Sequence, residues 1–445
     1  RRSLPFEVMA AAGLSLLQVS AVEPLELALP RILQLLSVIV VLLVSRRAWT
    51  RASSQPAPAS AKGPAPSFQR FLLARCAALR APYSPPLWFR SGLLQTVLAQ
   101  TAHKVQPGLM PKLTRQLIPV GSGGTVSLSW FGEEEEAHSD PDIVVVGLPG
   151  AGSCFPDHGL IPTLLCHLYH RLGRPSGVQG PRVACAVATY QGLSGLPLDS
   201  QKLPGSAYCS TDDVAALVAA ARARHPSSAI VILAASFGTA LFTNWAARFP
   251  AESEAAGVRA AVLLGFGHSV RDAVAASDAL SQSSGFVIRT WLKRLHEGGG
   301  IHTLHKLEGT CPGFKLQRLL AARTLQDWDA ACAPAYGFSS AEELYQASDA
   351  GPILGRVRVP LLFVNADDDP LCPGGRMRGS VYDQPHFARV GTRRGGHLGW
   401  LESMPKPGGP ALHCPWIANV VEQAVGAVVD WRGESEGVGQ GEGSE

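Results

Sequence analysis

The sequence predicts an α/β protein with a mostly parallel central sheet and helices on both faces. Three observations predict it. From about residue 140 the chain alternates short apolar runs with helical patterns, the order expected of parallel strands joined by crossover helices. The runs at 143–146, 183–188, 230–235, 258–264, 361–366 and 387–390 are nearly continuous in apolar residues, as strands covered on both faces require. Of the 445 residues 46% are hydrophobic and 17% charged, enough to fill a large core and incompatible with global disorder.

The elements follow in order. Thr125 to Phe131 (TVSLSWF) alternates like a strand of an antiparallel edge hairpin, so the sheet is mixed at that edge. Residues 211–225 (TDDVAALVAAARARH) predict a helix with Thr211 as N-cap, acids in the first turn and bases at the end. Trp416, Val420, Val421, Ala424 and Val428 recur at three- and four-residue spacing, giving a closing helix with one apolar face. The segment 265–320 interrupts the strand pattern. Within it Phe286, Val287, Trp291 and Leu295 suit an amphipathic helix, read equally as a lid over an apolar pocket or as an ordinary covering helix.

The ends differ in character. Residues 1–50 hold two apolar runs, 9–22 and 32–44, and extending the second over 27–45 approaches the roughly 20 residues a bilayer span needs. They predict a membrane anchor, single-pass in one reading. A cleaved or organelle-targeting segment on a soluble protein is the alternative. Arg46, Arg47 and Arg51 follow the second run, which points the C-terminal side to the cytoplasm by a small margin. Residues 51–85 begin with a Pro/Ala/Ser-rich tether and lead into the folded domain, 86–432, and the Gly/Glu/Ser-rich 433–445 predict a disordered tail. The acidic run Glu133 to Glu136 reads as a solvated loop.

Several functions are excluded. A net charge of +4 is too weak for a nucleic-acid surface. Nine scattered cysteines without a Cys-x-x-Cys pair argue against a disulfide framework or a four-cysteine zinc site. Cys166, His167 and His170 lack a fourth ligand at sensible spacing, and the Gly-rich GLPGAGS at 147–153 lacks both nucleotide fingerprints. Neither metal nor cofactor is therefore expected.

The chemistry lies in three separated motifs. In 230–249 (IVILAASFGTALFTNWAARF) a buried run meets a small-residue turn at Ser236 and then a helix, the layout of a nucleophile elbow. Ala234 and Gly238 are the small residues the turn demands, Ala234 replacing the more usual glycine. The segment NADDDPLCP follows the strand at 361–366 and offers an acid, Asp369 with Asp368 as the alternative. His397 follows Gly395 and Gly396 after the last strand. Ser, acid, His is the chain order of hydrolases built on this layout. Backbone N–H groups of Phe237 and Ala151 are the expected oxyanion donors.

At 86–432 the chain resembles the α/β hydrolases of the acylglycerol lipase and short-chain esterase group, the AB hydrolase 4 family. The resemblance rests on GLLQTV (92–97), GLPGAGS, YQGLSGLPL (190–198), the serine elbow, TLQDWDAACAPAYGFSSAEELYQASDA (324–350), NADDDP and GGHLGWLE (395–402). It implies the α/β-hydrolase fold, a triad of Ser236, Asp369 and His397, an ester or lipid substrate, and commonly an N-terminal membrane anchor. Members are often oriented with the domain opposite the cytoplasm, against the charge flanks, so the side stays open. Gln191 stands where the family often has Arg. Ester hydrolysis through an acyl-enzyme on Ser236 is the leading expectation, with a catalytically silent membrane-associated binder as the alternative and acyl transfer ranked behind both.

Overall fold

Eight strands form one sheet in the order β1-β2-β4-β3-β5-β6-β7-β8. The strands are β1 (Leu113–Pro119), β2 (Thr125–Phe131), β3 (Ile143–Leu148), β4 (Val183–Thr189), β5 (Ala229–Ala235), β6 (Val258–Leu264), β7 (Leu361–Ala366) and β8 (Phe387–Thr392). β2 pairs antiparallel with both β1 and β4, and the pairs from β4 through β8 are parallel. The protein therefore has the α/β-hydrolase fold that its motifs imply. The computed structural model describes residues 67–431 apart from 104, 106–107, 122, 133–139, 152–158, 174–180, 197–207, 268, 281–287, 289–299, 373–376, 378–379 and 404–411.

Side chains alternate along each strand and so feed two cores. Ile143 and Val145 of β3 join one apolar cluster, whereas Val144, Val146 and Leu148 join the other. On the first face lie α1 (Ser67–Arg75), α3 (Leu160–Leu172) and α11 (Pro415–Ala427), and on the second α4 (Asp212–Arg224) and α5 (Phe237–Arg248). α2 (Gly92–Ala102) stands apart from both and meets the loop after β8. Between β6 and β7 the chain forms α6 (Val270–Ala279), α7 (Gly300–Thr310), α8 (Leu316–Leu320), α9 (Leu325–Cys332) and α10 (Ala341–Ser348). Leu304, Leu307, Phe314, Leu319 and Trp328 of this insertion make an apolar cluster of their own. That helical cap extends past residue 320, the limit expected from sequence. Of the amphipathic stretch at 286–295, only Ile288 is among the described residues, and it is buried.

The closing helix buries the residues its spacing selects, Trp416, Val420, Val421 and Ala424, with Val428 just beyond its end. Two details differ from the sequence reading. Thr211 precedes α4, but its side chain makes no capping bond, and its backbone is already helical at φ −94° and ψ −26°. β1 gives no strand pattern because it is an edge strand whose residues are mostly half-buried or exposed. The eight described cysteines are all free. Among the described residues no helix is long and apolar enough to cross a membrane. The anchor, the tether before residue 67, the acidic run at 133–136 and the tail at 433–445 lie outside the described residues.

Residues 67–80, which precede the expected start of the domain at 86, pack into its first core. Phe68 is fully buried and meets Trp431 edge-on with ring centroids 5.1 Å apart. Phe68→Ala is expected to lower stability by about 3–5 kcal/mol, measured by urea unfolding. A loss below 1 kcal/mol would mean that this helix is not part of the cooperative unit.

Candidate active site

Chain order reverses where β3 leads to β4 on one side and β5 lies on the other, the switch point at which α/β sheets leave a crevice beyond their strand ends. Ser236 sits there, between β5 and α5, with φ 49° and ψ −116°. An L-residue reaches this region only under constraint. The Ser236 N–H donates to the Leu264 carbonyl at 2.9 Å, and its own carbonyl accepts from Thr239 N–H at 2.9 Å. Gly238 is obligatory, because a Cβ there would lie 2.3 Å from the Leu148 carbonyl oxygen. The loop after β3 also passes near, since a Cβ on Gly150 would fall 3.3 Å from the Ser236 Cβ. Ala234, the departure from glycine, fits fully buried in β5.

The other two residues arrive from the ends of β7 and β8. His397 Nε2 lies 2.8 Å from Ser236 Oγ, and His397 Nδ1 lies 2.8 Å from Asp369 Oδ2. Asp369 Oδ1 accepts from the N–H groups of Leu371 and Cys372, each at 2.8 Å. Burial works to raise the Asp369 carboxyl, but the charge of His397 and these hydrogen bonds hold it below the usual range. Burial likewise works to lower His397, and the Asp369 carboxylate outweighs it, holding the imidazole well above its ordinary value. Cys372 packs beside the imidazole with its thiol pushed up by burial, so it stays neutral. Asp368 faces elsewhere: it accepts from the Gly396 N–H at 2.9 Å, and burial pushes it up to about 6. The structure thus brings Asp369, not Asp368, to the histidine.

Phe237 opens α5, where the first amides of a helix lack intrahelical partners. Phe237 and Ala151 line one cavity with Ser236 and His397. Neither amide donates to another group among the described residues. Tyr190, from the YQGLSG motif, donates its hydroxyl to the Pro149 carbonyl at 2.9 Å and stacks edge-on against Phe237, tying the two loops together. Gln191 donates to Asp213 at 2.6 Å and is not among the residues lining the cavity. His167 pairs with Glu422, while His170 and Cys166 donate to the Leu109 carbonyl. Among the described residues the grouping of metal-competent side chains is Asp369, Cys372 and His397, two members of the relay and the thiol packed beside them.

Sequence reasoning did not assign the residues that hold the histidine loop. The His397 N–H donates to Thr96 Oγ1 at 2.8 Å, and Thr96 donates in turn to the Gly92 carbonyl. Gln95 Oε1 accepts from the Leu401 N–H at 2.9 Å. His103 Nε2 lies 2.8 Å from the Leu398 carbonyl, and burial pushes its imidazole down to about 4, so the neutral ring donates there. This helix and its C-cap residue His103 therefore fix the loop at three points. The signal lay in GLLQTV, a motif of the resemblance whose role only the fold discloses. Gly396, at φ 57°, permits the approach, because a Cβ would lie 2.1 Å from the Gly92 carbonyl oxygen.

The sequence profile of the alpha/beta hydrolase fold family matches residues 182–403, a span that contains Ser236, Asp369 and His397. The chain belongs to the α/β hydrolases. Monoacylglycerol lipase ABHD2 of Danio rerio is 26% identical to this hydrolase over 378 residues, covering 82% of each chain. Phospholipase ABHD3 of Mus musculus is 24% identical over 376 residues, covering 82% of this chain and 83% of that one. These relatives carry the names of the acylglycerol lipase group that the motifs resemble. A solved esterase of Pyrococcus furiosus is similar with a TM-score of 0.43 and 11% identity, covering 73% of this chain and 93% of that one.

Thr96→Val removes the acceptor for the His397 amide while keeping the side-chain shape. Turnover is expected to fall about ten- to hundred-fold with little change in KM, and Thr96→Ser to restore it. Equal activity in Thr96→Val and the parent would remove Thr96 from this role.

Proposed function

We propose that this hydrolase cleaves carboxylic esters of lipids through an acyl-enzyme on Ser236, with His397 as general base and acid and Asp369 orienting it. The observation that carries the reading is the continuous pair of 2.8 Å contacts from Asp369 through His397 to Ser236, ending in a cavity walled largely by apolar side chains. Such a cavity suits an acyl chain, since transferring apolar surface out of water favours binding.

The steps follow from the atoms. His397 Nε2 takes the proton of Ser236 Oγ as the oxygen attacks the ester carbon, and the developing oxyanion meets the Phe237 and Ala151 amides. His397 then protonates the leaving alcohol, and a water activated by the same nitrogen releases the acid. Asp369 stabilises the imidazolium that forms between these steps. The proposal includes an anchor within residues 1–50 and a tether before the domain, which would keep the enzyme at a lipid surface. The names of the relatives support the lipid substrate.

A fluorophosphonate probe is expected to label the parent and not Ser236→Ala, while Asp369→Asn is expected to reduce kcat by about 10⁴-fold without unfolding. Equal labelling of parent and Ser236→Ala would mean that the nucleophile lies elsewhere. Only the neutral imidazole accepts the serine proton, and Asp369 favours the protonated form. Activity is therefore expected to rise with pH through a midpoint above the ordinary histidine value of about 6.5, checked by the pH profile of kcat/KM. A midpoint below that value would contradict the ion-pair description of the relay.

A further inference from the structure

Among the described residues one acid lines the cavity over Ser236. Asp329, on α9, is 6% exposed and shares this cavity with Phe237, Val270, Val274, Leu325 and Trp328, all apolar. Tyr345 of α10 donates to its Oδ2 at 2.9 Å. That bond joins two cap helices and accounts for one oxygen. The other, Oδ1, has no hydrogen bond among the described residues. A carboxyl oxygen left without a partner on a buried residue that lines a cavity is a rare arrangement where only packing is at stake, because an apolar residue or a fully bonded one would serve better. Tyr208 also lines the cavity, and its phenol is held neutral by burial and by the nearby Asp329 charge.

We propose that Asp329 is the polar subsite of this cavity and binds a free hydroxyl of the substrate, so that hydroxyl-bearing lipid esters are selected over esters lacking one. The proposal deepens the ester-hydrolase reading and rests on it. Burial pushes Asp329 up to about 7, with the Tyr345 hydrogen bond opposing and the Asp278 charge adding to the shift. Tyr208, Tyr336 and Cys332 also face it, all neutral because burial pushes each well up. Near neutral pH the subsite therefore exists as carboxylate and as carboxylic acid. A hydroxyl suits both forms, donating to the first and accepting from the second, whereas an ammonium pairs only with the first. The hydroxyl can belong to the alcohol part, as in a partial glyceride, or to the acyl chain.

The test compares kcat/KM for 1-monooctanoylglycerol and propyl octanoate, and for methyl 8-hydroxyoctanoate and methyl octanoate. Each pair is measured in the full chain and in Asp329→Leu/Tyr345→Phe, which removes both hydrogen-bond partners together and leaves neither orphaned. In the parent the hydroxylated member of one pair is expected to be preferred, and in the double variant that ratio is expected to collapse about ten- to hundred-fold. Which pair responds identifies the part of the ester that carries the hydroxyl. Ratios unchanged in both pairs, or parallel loss on all four esters, would overturn the proposal and leave Asp329 a packing residue. Should the double variant not fold, Asp329→Ala, which leaves neither donor nor acceptor at this position, is tested by protection of Ser236 from the fluorophosphonate. 1-O-octylglycerol is expected to protect the parent better than octyl propyl ether does and to lose that advantage in the variant; an advantage kept would overturn the proposal. Absence of turnover on every ester by the parent sinks the ester-hydrolase reading and the subsite with it, whereas turnover with unaltered ratios sinks the subsite alone.

Discussion

The hydroxyl of Ser236 can stand clear of the sheet only because its backbone is forced to φ 49°, at a cost of about 1–3 kcal/mol that the surrounding structure must absorb. Strand β5 absorbs it by lying between β3 and β6 in parallel register, so that neither end of the turn can relax. Contacts at the turn leave little slack: the Leu264 carbonyl holds the serine amide, and the Leu148 carbonyl occupies the space a side chain on Gly238 would need. With the oxygen fixed, the remaining groups must be carried to it. β7 and β8 end beside it, and α2 restrains the loop after β8 through Thr96, Gln95 and its C-cap residue His103.

Two neighbouring acids show how local surroundings divide similar residues. Asp369 is nearly as buried as a carboxylate can be, yet it stays ionised because the imidazole and two amides meet it. Asp368 has one backbone donor and Arg394 3.9 Å away, and burial lifts it instead. The same contrast extends to Asp329 in the cap, whose single tyrosine partner does not offset its burial. Burial thus acts on all three, and the neighbouring charge together with the hydrogen-bond donors decides how far each carboxyl is moved.

Much of this was legible because strands covered on both faces leave an unmistakable composition. Residues 258–264 and 361–366 carry apolar runs that match β6 and β7 end for end. Edge strand β1 was not legible, since a half-exposed strand closed by Pro119 has no required pattern. Thr211 illustrates the opposite error, a residue of capping type whose side chain is not used to cap. The cap ran beyond its expected limit because its helices bury against one another and not against the sheet, which erases the strand and helix alternation that marks the rest of the chain.

By itself the sequence determined the fold class, the serine turn, the order of the three residues that meet at the candidate site and the group of relatives, because each depends on local residue types or on their order. Tertiary structure decided which of two adjacent acids faces the histidine, which helix holds the histidine loop, and that a carboxyl in the cap lines the cavity over the serine. Those outcomes depend on distances between atoms separated by tens to hundreds of residues, and no local pattern in a chain encodes a distance that only packing creates.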